Sequence, residues 1–181
     1  MQRFWKTTYV LDAIAVALVL FVLYRLLIAP RFLPESAAYP APAVTYKTLS
    51  GAPFALRSYR GRVVFLEFYA SWCQPCKESL PLVESFARAH PEVAVIPIDV
   101  GEPRPLVAAF ARAHGLSNVA YDPRALSRGF FQLEGYPTMV IVDPQSRIRA
   151  TWEGLNPAVE LNMAHAERVL ASDVRGVARV R

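Results

Sequence analysis

Cysteine and histidine are scarce in this sequence, with two and three residues respectively among 181. Two cysteines cannot build the disulfide framework that stabilises many small secreted domains. A structural zinc site needs four ligands, and the chain has no second cysteine pair to supply them. The three histidines are far apart in the sequence, and we expect each of them to be solvated. The cysteines are therefore left with redox chemistry, another kind of metal site or a single structural disulfide.

The sequence also lacks a block of basic residues. Its net charge is +5, but the arginines are scattered and are not interleaved with stacking aromatic residues. Binding to nucleic acid is therefore not expected. Charged residues make up 19% of the chain and hydrophobic residues 54%, which is high for a purely soluble domain. We expect part of the chain to contact lipid.

Charged residues are nearly absent from residues 9–29, where only Asp12 and Arg25 interrupt an apolar run. A run of about 20 apolar residues predicts a transmembrane helix, and an arginine near its end can reach the membrane surface. We expect residues 1–8 on the cytoplasmic side and the remainder exported. The alternative is a cleaved secretory signal, which exports the same remainder.

The rest of the chain divides by composition. Residues 30–43 contain four prolines among alanines, which favours an extended, stiff spacer. A folded domain is expected over residues 44–171 and a flexible tail over residues 172–181. Within the domain, strand and helix patterns alternate and end in a hairpin and a helix. This order predicts an α/β fold with a sheet covered on both faces.

Both cysteines, Cys73 and Cys76, lie between a predicted buried strand (residues 63–69) and a predicted helix (residues 77–90). The N–H groups and the positive dipole end of a helix N-terminus favour a thiolate, the reactive form of cysteine. A disulfide that closes only a two-residue loop would contribute little to stability. Redox chemistry is therefore the preferred interpretation, and copper binding by the dithiol is the alternative.

Three stretches of this sequence resemble the thioredoxin superfamily. They are residues 67–77 (Glu-Phe-Tyr-Ala-Ser-Trp-Cys-Gln-Pro-Cys-Lys), Pro81 and residues 135–138 (Gly-Tyr-Pro-Thr). The apolar N-terminal segment, the proline-rich segment and residues 61–64 are more like the membrane-anchored TlpA/ResA subgroup of bacterial thiol–disulfide oxidoreductases. The resemblance implies a thioredoxin-like α/β fold, a central mixed sheet flanked by helices, after the transmembrane helix.

Chemical roles follow from the motif and from the resemblance. Cys73 is expected to attack a substrate disulfide, and Cys76 to resolve the mixed disulfide. The resemblance places Glu67 at the buried acid of thioredoxin, where burial would raise its pKa and suit it to accept a proton from Cys76. The alternative is a solvated Glu67. At this position the chain is more like thioredoxin than like the TlpA/ResA subgroup. Many members of that subgroup have Asn at the position of Glu67 and an acid at the position of Ser79.

The resemblance also implies a substrate-binding surface around the cysteines. Its members are Trp72, Gln74, Pro75, Tyr136 and Pro137. A cis Tyr136–Pro137 bond would expose the backbone of Tyr136 to a substrate, whereas an ordinary proline would simply begin a strand. Trp72 is interpreted as a lid beside Cys73, with a core position as the alternative. Phe130 and Phe131 are expected in the core.

The direction of electron flow is predicted from the residues between the cysteines. Strong oxidants of the superfamily have a histidine there, whereas Gln74 and Pro75 provide no cation. We therefore expect a reductant or an isomerase-like exchanger, with an oxidant as the alternative.

An exported reductant needs a membrane protein as its electron donor. Its clients would be exported proteins with disulfides, and the resemblance implies clients of the cytochrome or oxidase assembly type. We expect a monomer in the bacterial inner membrane with a periplasmic domain. Apart from the redox-active pair Cys73 and Cys76, no metal or cofactor is expected.

Overall fold

The computed structural model describes most of the chain. The backbone is described for residues 2–27 and 32–178, and the side chains for residues 9–24, 32–34 and 36–171. The end of the predicted anchor and the last three residues of the predicted tail lie outside the described residues.

The first of two compact units covers residues 1–31 and contains helix α1 (Gln2–Leu27). Its described side chains, those of residues 9–24, are exposed. Within the part of the chain that is described, no helix is both long enough and apolar enough to cross a membrane. The transmembrane helix therefore stays a prediction.

The second unit begins at Phe32 and contains eight strands, four α-helices and two short 3₁₀ helices (Glu35–Ala37 and Leu56–Tyr59) in its described part. The strands are β1 (Tyr39–Pro40), β2 (Thr45–Thr48), β3 (Pro53–Ala55), β4 (Val64–Tyr69), β5 (Ala94–Val100), β6 (Ala120–Asp122), β7 (Thr138–Val142) and β8 (Arg147–Glu153). The α-helices are α2 (Gln74–Ala89), α3 (Arg104–Ala113), α4 (Ser127–Phe130) and α5 (Val159–Ala178). Helix α5 continues past residue 171, where the domain is predicted to end.

All eight strands form one mixed sheet in the order β1-β8-β7-β4-β5-β6-β2-β3. Strand β4 lies at its centre, parallel to β5 and antiparallel to β7. All six residues of β4 are buried, as expected for a strand covered on both faces. This arrangement confirms the predicted thioredoxin-like α/β fold with a mixed sheet flanked by helices.

The two faces of β4 pack on different elements because successive side chains of a strand point to opposite faces. On one face Phe65 packs with Phe86 of α2 and Met163 of α5. On the other face Leu66 and Phe68 enter a second apolar cluster. Strand alternation therefore directs Glu67, two residues after Phe65, toward α2.

The expectation for the two adjacent phenylalanines is correct for one of them. Phe131 is buried and packs against Phe68, with ring centroids 4.9 Å apart. Phe130 is 54% exposed, so its predicted core position is wrong. Neighbouring residues at the end of a short helix point in different directions, and only one of them can face the sheet.

The segment before residue 44, predicted as part of a spacer over residues 30–43, is attached to the domain from Phe32 onward. Strand β1 pairs with β8 at the edge of the sheet. The Leu33 N–H donates to the Arg149 carbonyl at 2.7 Å, and Arg149 Nε donates back to the Leu33 carbonyl at 3.0 Å. The Phe32 ring packs edge-on against Trp152. Residues 32–43 therefore form part of the folded domain.

Phe32→Ala should lower the free energy of unfolding of the domain by about 1–2 kcal/mol. The ring centroid of Phe32 lies 5.7 Å from those of both Trp152 and His165, and the substitution removes both contacts. Urea unfolding of the intact chain in detergent would measure the change. Phe130→Ala is the matched control, because an exposed ring should cost less than about 0.5 kcal/mol. Equally small losses in both variants would show that the segment behaves as a spacer.

Candidate active site

The two cysteines form a disulfide at the carboxyl end of β4, with the sulfur atoms 2.07 Å apart. Helix α2 begins at Gln74, three residues before its predicted start, with Cys73 as its N-cap. Pro75 lies in the first turn, where its fixed φ and missing N–H are well tolerated. The cysteine motif is thus part of the helix N-terminus.

The structure gives the two cysteines unequal access to solvent. Cys76 is fully buried, whereas Cys73 keeps 4% of its surface exposed. The Cys73 Sγ accepts a hydrogen bond from the Cys76 N–H at 3.2 Å, and this N–H would also stabilise a thiolate. Cys73 is therefore the more accessible of the two sulfurs, and the roles expected for them, attack by Cys73 and resolution by Cys76, stay predictions.

Glu67 lies beneath this motif in the middle of β4 and is only 2% exposed. Its predicted burial is confirmed, and the alternative of a solvated side chain is wrong. The Ser79 Oγ donates a hydrogen bond to Glu67 Oε1 at 2.8 Å. Burial raises the pKa of Glu67 to about 7, and the bond from Ser79 limits the rise. The carboxyl group can therefore accept or release a proton near neutral pH.

The role of Ser79 is not among the sequence predictions, although its spacing from Cys76 provided a signal. Residues three apart on a helix are neighbours on one face. Because Ser79 contacts Glu67, the carboxyl group lies within about one helical turn of Cys76. A cavity of about 10 Å³ borders Glu67, Pro137 and Trp152. This is close to the smallest volume that holds one water molecule, so Glu67 has room for a proton carrier.

The predicted substrate surface is assembled around the disulfide. The Tyr136–Pro137 bond is cis, as the resemblance implies. Tyr136 packs on the apolar cluster that contains both cysteines. Trp72 is 70% exposed and meets Tyr136 edge-on at 6.0 Å, so the core alternative for Trp72 is wrong. Pro137 is buried, while Gln74 and Pro75 are exposed beside Cys73. Substrate binding by these residues stays a prediction.

Sequence reasoning missed two acids at the carboxyl end of the strand next to β4, namely Asp99 on β5 and Glu102 just after it. The Glu102 carboxylate accepts hydrogen bonds from the Ser71 N–H at 2.6 Å and from its Oγ at 2.7 Å. Ser71 lies two residues before Cys73. Asp99 is fully buried near the end of β5. The carboxyl ends of parallel strands meet at one edge of a sheet, and this rule could have indicated both acids.

A group of possible metal ligands lies apart from the two cysteines. Among the described residues, one group of three could hold a cation, namely His90, Glu92 and Glu167, whose donor atoms lie within 4.8 Å of one another. The His90 Nδ1 lies 2.8 Å from a Glu167 oxygen and 3.3 Å from a Glu92 oxygen. Neither cysteine belongs to this group.

Comparison with known proteins assigns the family. The model of the AhpC/TSA family matches residues 37–151. The chain belongs to this family. It is 29% identical over 154 residues to the thiol-disulfide oxidoreductase ResA of Halalkalibacterium halodurans. This alignment covers 81% of this chain and 84% of the relative. The ResA of Geobacillus kaustophilus is 28% identical over 142 residues, covering 75% of this chain and 82% of the relative.

Solved structures show the same fold. A thiol:disulfide interchange protein of Chlorobium tepidum superposes with a TM-score of 0.65 at 21% identity, covering 76% of this chain and 99% of that one. With the Cys73–Cys76 disulfide at a helix N-terminus, the family and its named relatives identify this AhpC/TSA protein as a thiol–disulfide oxidoreductase.

Glu67→Gln should slow the resolving attack of Cys76 about 100-fold, because a general base is lost. In the parent chain this rate should rise with pH around pH 7, where Glu67 ionises. Single-turnover release of a mixed disulfide at several pH values would measure both effects. A variant with the parent's rate and pH profile would contradict the predicted role of Glu67 as a proton acceptor.

The same substitution should change the pH dependence of stability. Because the folded pKa of Glu67 is raised, its contribution to stability is fully present below about pH 4.5 and is lost as the pH rises from there through about 7. The free energy of unfolding of Glu67→Gln should therefore be about 3 kcal/mol higher than that of the parent at pH 8, and nearly the same at pH 4. Glu84→Gln, at another buried carboxylate, is the control.

Proposed function

We propose that this protein is a membrane-tethered, extracytoplasmic reductant that reduces disulfides in exported client proteins. The observation that carries the proposal is the environment of Cys73. Its sulfur accepts one described N–H bond, while two buried acids are bound to Ser71 and Ser79, on either side of the cysteine motif. Stabilising the thiolate makes a dithiol protein a stronger oxidant, because it stabilises the reduced form. A weakly stabilised thiolate favours electron donation.

Lys77, the charged residue nearest to Cys73 in the sequence, is engaged on the outer side of the helix. The Lys77 ammonium group donates to Gln74 Oε1 at 3.5 Å, on the exposed side of the helix start. On the inner side, Glu67 and Glu102 are buried acids. When ionised, their negative charge disfavours a second negative charge on the nearby sulfur. We infer that these acids offset part of the stabilisation that the helix N-terminus gives to a Cys73 thiolate.

The reaction then proceeds in two exchanges. The Cys73 thiolate attacks one sulfur of a client disulfide, and the other client sulfur leaves as a thiolate. Cys76 loses its proton to Glu67 and attacks Cys73, which releases the second client sulfur. The client gains two electrons as a dithiol, and the protein is left with the Cys73–Cys76 disulfide. A membrane protein must return two electrons to complete the cycle.

Location in the bacterial inner membrane, with the domain in the periplasm, is also part of the proposal. The segment 9–29 is almost wholly apolar, and the described side chains of α1 are exposed, Leu20 by 60%. Apolar surface of this extent is unfavourable in water and favourable in lipid. The relatives named ResA support the oxidoreductase chemistry. Clients of the cytochrome or oxidase maturation type, and a monomeric state, are the expectations from the resemblance.

The reduction potential tests the direction of electron flow. We expect a value near that of thioredoxin, about −270 mV, and not near that of DsbA, about −120 mV. Equilibration of the exported domain with glutathione or dithiothreitol would measure it. Gln74→His should make the potential more oxidising, because a cation between the cysteines stabilises the thiolate. Glu78→His, on an exposed site one turn away, is the matched control. A parent value near that of DsbA would make the protein an oxidant.

Trapping tests the clients and the location together. Cys76→Ser in the intact chain should accumulate mixed disulfides through Cys73, because the resolving thiol is missing. These complexes should fractionate with membranes and be released by detergent but not by high salt. Cys73→Ser should trap none. Mixed disulfides in the soluble periplasmic fraction would instead support a cleaved signal.

A further inference from the structure

A second acidic pair lies behind the turn that presents Cys73. This turn is closed by a hydrogen bond from the Cys73 N–H to the Ala70 carbonyl at 3.1 Å. The Glu102 carboxylate accepts from Ser71, inside the turn, through both the N–H and the hydroxyl group. Glu102 therefore holds the turn from the side of β5. Both of its oxygens are occupied by these bonds.

The second acid of the pair, Asp99, is fully buried and faces Glu102. Neither of its carboxyl oxygens accepts a well-formed hydrogen bond from any donor in the described part of the chain. Its register partner on β4 is Tyr69, whose hydroxyl group is also buried without a partner there. A buried carboxylate without donors is costly, so this site strongly disfavours a charge on Asp99.

The two carboxyl groups must share one proton, because adjacent carboxylates away from water do not both ionise. The hydrogen bonds decide which group holds it. Glu102 has two donors from Ser71, which favour its charged form. Asp99 accepts no well-formed hydrogen bond in the described part of the chain. A weaker bond from the Glu102 N–H favours its charged form, but burial and the Glu102 carboxylate outweigh this bond and favour the neutral form. The protonated Asp99 can then donate to Glu102.

We propose that Asp99 and Glu102 are positioning residues for Cys73. The proton on Asp99 keeps Glu102 in place, Glu102 fixes Ser71, and the turn from Ala70 to Cys73 is thereby held in its attacking geometry. Loss of that proton places two carboxylates side by side and weakens the hold on Ser71. The proposal rests on the dithiol chemistry and is independent of the direction of electron flow.

The groups around Asp99 determine the pH at which it loses its proton. The titratable and charged groups that face it are Tyr69 of β4, Glu102 after β5, Asp122 of β6 and Tyr136 before β7, itself influenced by Arg128. Burial, with the neighbouring Glu102 and the charge on Asp122, raises the pKa of Asp99 to about 8. Burial also raises the pKa of Glu102, but hydrogen bonds from Asp99 and Ser71 outweigh it and lower that pKa.

The oxidised intact chain offers the cleanest test, because disulfide-bonded cysteines carry no proton. Trp72 directly follows Ser71 and is exposed, so its fluorescence reports the turn. We expect a fluorescence step near pH 8 in the parent, absent from Trp72→Phe and from Asp99→Asn, whose amide cannot ionise. Glu67→Gln should keep this step, since Glu67 titrates near pH 7.

Two further variants make the result decisive. In Glu102→Gln no second carboxylate faces Asp99, so ionisation of Asp99 repels nothing and the step should be lost. Glu84 holds Ser117 through its N–H and hydroxyl group as Glu102 holds Ser71, which makes Glu84→Gln the matched control with an unchanged step. The proposal fails if the parent shows no step, if Asp99→Asn keeps it, or if Glu102→Gln leaves it in place.

The reduced chain gives a functional readout. The rate of attack on a small aromatic disulfide, divided by the thiolate fraction from absorbance at 240 nm, should fall about tenfold in the parent between pH 7 and 9. Asp99→Asn should match the parent at pH 7 and show no such fall. An equal fall in both chains would overturn the proposal, because a merely structural residue would not govern this profile.

Discussion

Burial of β4 on both faces is the constraint on which the site depends. Its register directs Glu67 toward α2 and ends the strand at Tyr69, four residues before Cys73. A slip of one residue would move Glu67 to the opposite face, away from Ser79, because side chains alternate along a strand. The neighbouring strands β5 and β7 fix this register by hydrogen bonds on both sides. Core packing and catalytic geometry are therefore set by the same pairing.

Three buried acids surround the turn and the helix start, and the fold handles each differently. Glu67 has one hydroxyl donor from Ser79 and a small neighbouring cavity. Glu102 has two donors from Ser71, and Asp99 has none that is well formed in the described structure. Their pKa values separate accordingly, with those of Glu67 and Asp99 raised and that of Glu102 lowered. Separated pKa values allow neighbouring carboxyl groups to have different functions.

The sequence predicted the features that depend on local pattern. Apolar β-branched residues indicated β4, and the spacing of the cysteines indicated the dithiol. Features that depend on distant partners were missed. Composition marked residues 30–43 as a spacer, but whether a proline-rich segment attaches depends on partners such as Arg149 and Trp152, more than 100 positions away. Asp99 was missed because its importance arises only when parallel pairing brings β5 beside β4.

The contact between Glu67 and Ser79 also explains how this chain departs from the TlpA/ResA pattern noted in its sequence. In that pattern the strand position carries Asn and the helix position carries an acid, whereas here the acid is on the strand. The 2.8 Å bond shows that the two positions are direct partners. An acid at either of these two positions would therefore lie within about a turn of Cys76 in this fold. The chemistry constrains where the carboxyl group lies in space more than which element supplies it.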